Sequence, residues 1–249
     1  MSPMTERPLV RRSMTLASAA LAVFWMGGPQ EASAQTSVEA GLNFALGFPQ
    51  DAFERNVENT GFGFSGFGGV RPGGGLVLIG ADLGFVNYGR QRHQEPLQGL
   101  PIDLEVRTDN NILMGHGLVR IQPAEARVRP YGDLLFGFKY LFTESRVRGV
   151  DSDPDDDFAR TVNQDDWAVS YGGGAGLDIT LTSAAARDEE GGRRIAYFKL
   201  NLGARYLAGG EAEYLRAGSM VYGGDQVEFE MDRSRTNLLQ PVIGATFVF

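Results

Sequence analysis

Apolar and polar residues alternate with a period of two along most of the chain after residue 36, and helical spacing is almost absent. Strand one is predicted over Val38–Phe48, with Val38, Ala40, Leu42, Phe44 and Leu46 on one face and Glu39, Gly41, Asn43, Ala45 and Gly47 on the other. Strand two, near Gly61–Val70, is glycine-rich, with Phe62 and Phe64 on its apolar face. Strand three sets Val77, Ile79, Ala81, Leu83 and Phe85 against Gly80, Asp82 and Gly84. Strand four lies around Asn111–Gln122, where Ile112, Leu113 and Met114 leave two registers open. Strand five sets Leu134, Phe136, Phe138, Tyr140 and Phe142 against Asp133, Leu135, Gly137 and Lys139. In strand six Trp167, Val169, Tyr171, Ala175, Leu177, Ile179 and Leu181 alternate with Ala168, Ser170, Gly172, Gly174, Gly176, Asp178 and Thr180. Strand seven sets Phe198, Leu200, Leu202, Ala204 and Tyr206 against Tyr197, Lys199, Asn201, Gly203 and Arg205. The last segment, Leu238–Phe249, carries Leu239, Pro241, Ile243, Ala245, Phe247 and Phe249 on one face. Its length is about that of a tilted strand crossing a bilayer, roughly 9–11 residues. Pro241 inside it removes a ladder donor and predicts a bulge.

The connections alternate as well. Around Arg71–Gly75, Pro123–Arg129 and Ser183–Arg194 they are the shorter set. Those at Pro49–Thr60, Arg90–Asn110, Thr143–Asp166 and Ala208–Thr236 are mostly long and polar. Eight strands with short turns at one end and long loops at the other predict an all-β, eight-stranded antiparallel up-and-down barrel, with both termini at the short-turn end.

Alternation alone does not say which face is outside. A soluble barrel would point the apolar face inward. Here the second face is mainly Gly, Ser, Ala, Asn and Thr, and the row Gly172, Gly174, Gly176 suits a narrow lumen. Its few charges, Glu39, Asp82, Asp133 and Asp178 against Lys139, Lys199 and Arg205, look balanced for pairing inside. Phe85, Tyr140, Phe142, Trp167, Tyr171 and Tyr206 fall near the long-loop ends of their strands, as aromatic belts at a membrane boundary do. The apolar face is therefore read as lipid-facing, with a periplasmic soluble barrel binding an apolar ligand as the alternative.

Residues 1–34 read as a signal peptide. Arg7, Arg11 and Arg12 form a basic region, Met14–Met26 is a short apolar run, and Ala32-Ser33-Ala34 offers a cleavage site, leaving residues 35–249 as the barrel domain. Removing three Arg and two Glu with that segment takes the formal charge from −8 to −9, which argues against nucleic acid as a partner. There is no cysteine, so nothing staples this exported chain covalently. Glycine, at 34 residues, is well above the usual share of about 7%. No segment after residue 34 is long and apolar enough for a transmembrane helix, so a membrane reading requires a closed barrel.

The segments RPYGDLLFGFKYLF (Arg129–Phe142), WAVSYGGGAGLDI (Trp167–Ile179) and the closing PVIGATFVF (Pro241–Phe249) resemble the small eight-stranded outer-membrane barrels of the OmpA/OmpX-like group, over nearly all of residues 36–249. The resemblance implies the outer membrane, outer-membrane lipids as surroundings, and assembly machinery that reads the last strand ending at Phe249. No C-terminal peptidoglycan-binding domain of the full-length OmpA kind accompanies it.

Candidate chemistry is sparse. The cluster Asp151, Asp153, Asp155, Asp156, Asp157, with Asp165 and Asp166 beyond it, is rich in oxygen ligands. Pro154 holds the fourth position of an EF-hand pattern, Asp156 replaces its Gly and Val162 its Glu, so a solvated loop that bridges divalent ions to anionic lipid fits better. His93 and His116 are the two histidines, and neither has a hydroxyl near it in sequence to make a nucleophilic pair. Gly172–Gly176 lacks the Gly-Lys-Ser/Thr of a phosphate loop. The expectation is a non-enzymatic barrel without catalytic, cofactor or metal residues. It would serve envelope integrity, adhesion or binding of an extracellular ligand through the long loops, with an outer-membrane lipid-modifying enzyme as a further alternative.

Overall fold

A computed structural model of the chain describes residues 36–249 except 58, 97–102, 124–125, 150–158, 184–196, 216–220, 224–225 and 229–230. The segment read as a signal peptide lies outside the described residues. In chain order the strands are β1 (Ser37–Pro49), β2 (Gly61–Arg71), β3 (Val77–Pro96), β4 (Asp103–Ile121), β5 (Val128–Gly149), β6 (Ala159–Ser183), β7 (Tyr197–Gly209), β8 (Glu211–Leu215), β9 (Val221–Gly223), β10 (Gln226–Glu228), β11 (Met231–Arg235) and β12 (Leu238–Val248). Strands β1–β7 and β12 close into an antiparallel barrel, every strand beside its sequence neighbour and β12 against β1. Val38 and Phe249 exchange backbone hydrogen bonds at the seam, so the two ends of the domain meet at one rim.

The faces fall as the alternation predicts. Leu42, Phe64, Leu83, Leu134, Phe136 and Val169 point outward and are exposed, while Glu39, Asn43, Asp82, Lys139, Ser170, Asp178, Lys199 and Asn201 are buried inside. One cross-strand row, Ile243–Phe44–Phe64–Phe85–Leu113–Tyr140–Trp167, runs over seven strands on the outer surface. Such an apolar belt around a polar interior is the distribution that lipid, not water, stabilises. The register of strand four is settled: Leu113 is outward, while Ile112 and Met114 are inward.

Four expectations are corrected. The links 90–110 and 143–166 are largely strand, since β3 pairs with β4 out to Pro96↔Asp103 and β5 with β6 out to Val147↔Ala159. The link 49–60 contains a short helix, α1 (Ala52–Val57), whose buried Phe53 and Val57 sit one turn apart. The link 208–236 holds the hairpin β8–β11 and the smaller pair β9–β10. Pro241 makes no bulge: Ala45↔Val242 and Phe48↔Leu239 share one register, and the ladder to β1 merely lapses between them. Pairing of β12 with β7 runs through Pro241↔Ala204 without a shift.

At the long-loop rim α1 covers the mouth. Phe53 packs edge-on against Tyr88 (5.5 Å) and Tyr214 (5.0 Å), and Asn56 donates to the Tyr214 hydroxyl at 2.9 Å. Tyr88 reaches this cluster because the β3–β4 register shifts between Asn87 and Gly89, a bulge that turns its ring inward.

Backbones approach closely where inward glycines sit. A Cβ on Gly137 would overlap the Gly115 carbonyl oxygen of β4, and one on Gly172 the Tyr206 carbonyl oxygen of β7. Gly137→Val is therefore expected to destabilise the barrel by about 1–3 kcal/mol. The check is gel mobility of unheated against heated protein in detergent: the wild type should shift on boiling, and the variant should shift at a lower temperature. An unchanged midpoint would mean that this approach does not constrain the barrel.

Candidate functional site

The polar interior is a concentrated array of ionised groups, each from an inward position of a barrel strand. At the rim where the termini meet, Glu39 on β1 accepts from Arg71 at 2.7 Å, and Arg71 also donates to the Gln122 side chain at 3.0 Å. Gln122 donates to Asp178 at 2.7 Å, whose other oxygen accepts from Asn201 at 2.8 Å. Arg129 lies 3.7 Å from Glu39. Higher up, Arg120 holds Asp133 with two bonds of 2.7 and 2.8 Å, and its guanidinium lies between the rings of Phe67 (4.3 Å) and Tyr131 (3.9 Å). Paired forks of this kind are where arginine outdoes lysine. Arg205 donates to Asp82 at 2.8 Å and to Gln240 at 2.9 Å.

All four predicted inward carboxylates are inside, but the expected partners are only partly right. Arg205 pairs as expected, whereas Lys139 donates to the carbonyls of Leu207 (3.0 Å) and Thr236 (2.5 Å), which carry partial rather than full negative charge. The Lys199 ammonium lies 5.9 Å from the Tyr197 ring, with no hydrogen-bond acceptor among the described residues. Arg71 and Arg129 face Glu39 and Arg120 holds Asp133, while Asp178 is held by Gln122 and Asn201 with Arg120 4.0 Å away. Arg71 and Arg129 were read as turn residues and Arg120 sat in the strand of open register, so sequence reasoning missed these arginines. Against the expected balance, six cations (Arg71, Arg120, Arg129, Lys139, Lys199, Arg205) face four carboxylates (Glu39, Asp82, Asp133, Asp178).

The structure also brings a hydroxyl to His116. Its Nε2 is 2.9 Å from Ser170 Oγ, and its Nδ1 is 3.8 Å from Asp82, beyond hydrogen-bonding distance. The order serine, histidine, aspartate has the roles of a nucleophile array, yet His116 and Ser170 are both buried against the lumen. A cavity of about 20 Å³ in mid-lumen touches Asp82, Arg120, Asp133 and Arg205 but neither His116 nor Ser170. It has room for about one water. The pair thus fastens β4 to β6 across β5.

Other candidates separate. His93 lies on β3 beyond the barrel. Asp151–Asp157 lies outside the described residues. Asp165 accepts from the Tyr140 hydroxyl at 3.2 Å, and Asp166 from the backbone of Trp167 and of Glu213, each at 2.8 Å. Among the described residues no three acidic or histidine side chains are grouped to hold a metal. The glycine row of β6 makes room inside: a Cβ on Gly176 would strike the Tyr131 hydroxyl, and one on Gly174 the Arg205 side chain.

These observations define the class: a closed eight-stranded up-and-down barrel turned inside out for a membrane, its lumen filled by ion pairs. No family model and no curated protein matches the sequence. Similar solved structures include Neisserial surface protein A, at 12% identity and TM-score 0.36, covering 88% of this chain and 98% of that one. Ail, the attachment invasion locus protein of Yersinia pestis, has 12% identity and TM-score 0.36 over 86% and 97%. The N-terminal β-barrel domain of Pseudomonas aeruginosa OprF has 12% identity and TM-score 0.32 over 86% and 97%. All three are small outer-membrane barrels. At these scores the fold class rests on the chain's own strand order and distribution of charge.

Removing one partner of a buried pair leaves the other charge uncompensated, which costs about 3–5 kcal/mol. Asp82→Ala is expected to lose that much in denaturant unfolding from lipid bilayers, and the double variant Asp82→Ala/Arg205→Ala to lose less than the single one. A double variant as unstable as the sum of both singles would show that the two residues act independently.

Proposed function

We propose that the protein is an outer-membrane surface protein that acts through its projecting β-sheet, with the barrel as a lipid-held, non-enzymatic support. The observation that carries this reading is unequal strand length. β1, β2, β7 and β12 have 13, 11, 13 and 11 residues, near what a tilted strand needs to cross a bilayer, whereas β3–β6 have 20, 19, 22 and 25. Beyond the last β2 pair at Asn87, β3 continues to Pro96, roughly 30 Å along the strand at about 3.3 Å per residue. Side chains near its base form a polar network in which Asp109 meets Arg90 (2.8 Å) and Arg107 (2.8 Å). A projecting sheet on a rigid barrel is a site for partner binding, since specificity resides in what the scaffold holds out. An extracellular ligand would meet this sheet, outer-membrane lipid the belt, and assembly machinery the closing strand at Phe249.

The filled lumen favours this role over a diffusion pore, and its charges over the apolar-ligand carrier, which needs an apolar interior. The sealed His116–Ser170 pair favours it over a lipid-modifying enzyme, which needs a nucleophile facing the belt.

Replacing residues 90–109 with a short Asn-Gly turn should leave a barrel that fractionates with the outer membrane and keeps its heat-dependent mobility. The same variant should lose attachment of expressing cells to surfaces and to one another. Full attachment by the truncated barrel would refute the assignment to the sheet.

A further inference from the structure

We propose that the outer face of β5 and β6, at the edge of the apolar belt, binds the sugar of an uncharged glycolipid in the surrounding leaflet. The inference rests on the outer-membrane reading above. Four rings pack side by side here: Trp167 lies 4.5 Å from Tyr140 and 5.0 Å from Phe138, and Tyr140 stacks on Phe142 at 5.4 Å. The Trp167 side is open, with 56% of the residue exposed. Directly above, the outward row of β6 changes from Trp167 to Asp165, whose carboxylate accepts from the Tyr140 hydroxyl.

An ordinary aromatic girdle would spread its amphipathic rings around the barrel. Among the described residues the outward rings of β1–β3 at the same cross-strand row are Phe44, Phe64 and Phe85, without a hydroxyl or an adjacent carboxylate. Among the described side chains the outward Trp and Tyr near this rim, Tyr140, Trp167, Tyr171 and Tyr206, lie on β5–β7. The charge of the rim then selects the ligand. Asp165 borders the platform through the Tyr140 hydroxyl and Asp166 follows it, while Glu211 and Glu213 on β8 stand across from Arg235 and Arg233 on β11. The two aspartates at the edge of the rings disfavour a phosphate headgroup there. A neutral pyranose suits the platform: its C–H face covers the aromatic rings, and its hydroxyls donate to the carboxylate, a charge-assisted bond. Placement at the lipid boundary commits the site to a sugar presented by a membrane lipid.

Trp25 and Trp167 are the two tryptophans of the chain. Full-length protein carrying Trp25→Phe therefore reports from Trp167 alone. In nanodiscs of phosphatidylcholine doped with digalactosyl diacylglycerol, Trp167 emission should change saturably with glycolipid content, and Asp165→Asn should weaken the apparent affinity by about tenfold. Tyr140→Phe keeps the stacking and should retain saturable binding. An equal change in phosphatidylcholine alone would reduce the patch to an ordinary girdle and overturn the proposal. A change that needs phosphatidylglycerol with calcium and vanishes on chelation would also overturn it, in favour of ion-bridged phosphate. Membrane fractionation of the same protein, measured separately, tests the outer-membrane reading itself.

Discussion

Closure of the sheet between β1 and β12 is the constraint on which the remaining structure depends. Inside a bilayer no water satisfies a free N–H or C=O, so every strand in the belt needs two neighbours. The seam from Glu39↔Val248 to Pro49↔Leu238 supplies the last of them. Pro241 is tolerated because its missing donor interrupts only the β1 ladder, over the two pairs between Ala45↔Val242 and Phe48↔Leu239. Above that gap the Gln50 amide donates to Asn237, and the seam is shut again. Once the sheet is closed with eight strands its interior is narrow, and inward positions must be glycine or side chains that fit each other. Tyr131 has space because Gly176 and Gly203 lack a Cβ beside it.

The interior then has to accommodate charge without bulk water. Arginine does most of this, because its planar fork satisfies a carboxylate with two bonds and leaves its flat face for rings, as Arg120 does between Phe67 and Tyr131. The two lysines solve the problem differently. Lys139 gathers carbonyls where β7 and β12 leave the barrel, so it joins the hairpin base to β5 rather than neutralising an acid. The resulting excess of cations inside stands against the net negative charge of the chain. Acid is thus concentrated outside the barrel interior, as at the rim above Trp167.

Strand faces were readable from the sequence because lipid on one side and a packed lumen on the other impose a strict period of two. Beyond the belt that constraint ends and the signal weakens. Residues 90–95 carry no apolar side chain, so the extension of β3 went unread, whereas Ile102, Leu104 and Val106 alternate with Asp103, Glu105 and Arg107 and could have announced that of β4. Helix α1 has only the Phe53–Val57 pair as its signature, too little over six residues to stand out. In strand four three apolar residues in succession satisfied either register, and the choice came from the lumen, which needed His116 and Arg120 inside. The Ser170 partner of His116 lies 54 positions away in sequence, and only the two registers β4–β5 and β5–β6 together place them within reach.

Two bulges mark where the membrane part ends and the projecting part begins. The β3–β4 pairing shifts between Asn87 and Gly89, and the β5–β6 pairing between Thr143 and Glu144. An extra residue in one strand bends it and changes its twist, so a bulge at a rim lets paired strands leave the curvature of a barrel. The second shift falls close to the step at which the outward row of β6 changes from apolar to acidic, Trp167 to Asp165, while Glu144 on β5 is buried against Arg146. On one side β2 makes its last pair with β3 at Phe62↔Asn87, and on the other β7 makes its last with β6 at Gly209↔Ser170. The four central strands therefore leave the closed barrel at one boundary, where chemistry, backbone geometry and strand length change together. That coincidence follows if the boundary is the lipid surface, because only there does the demand for closure cease.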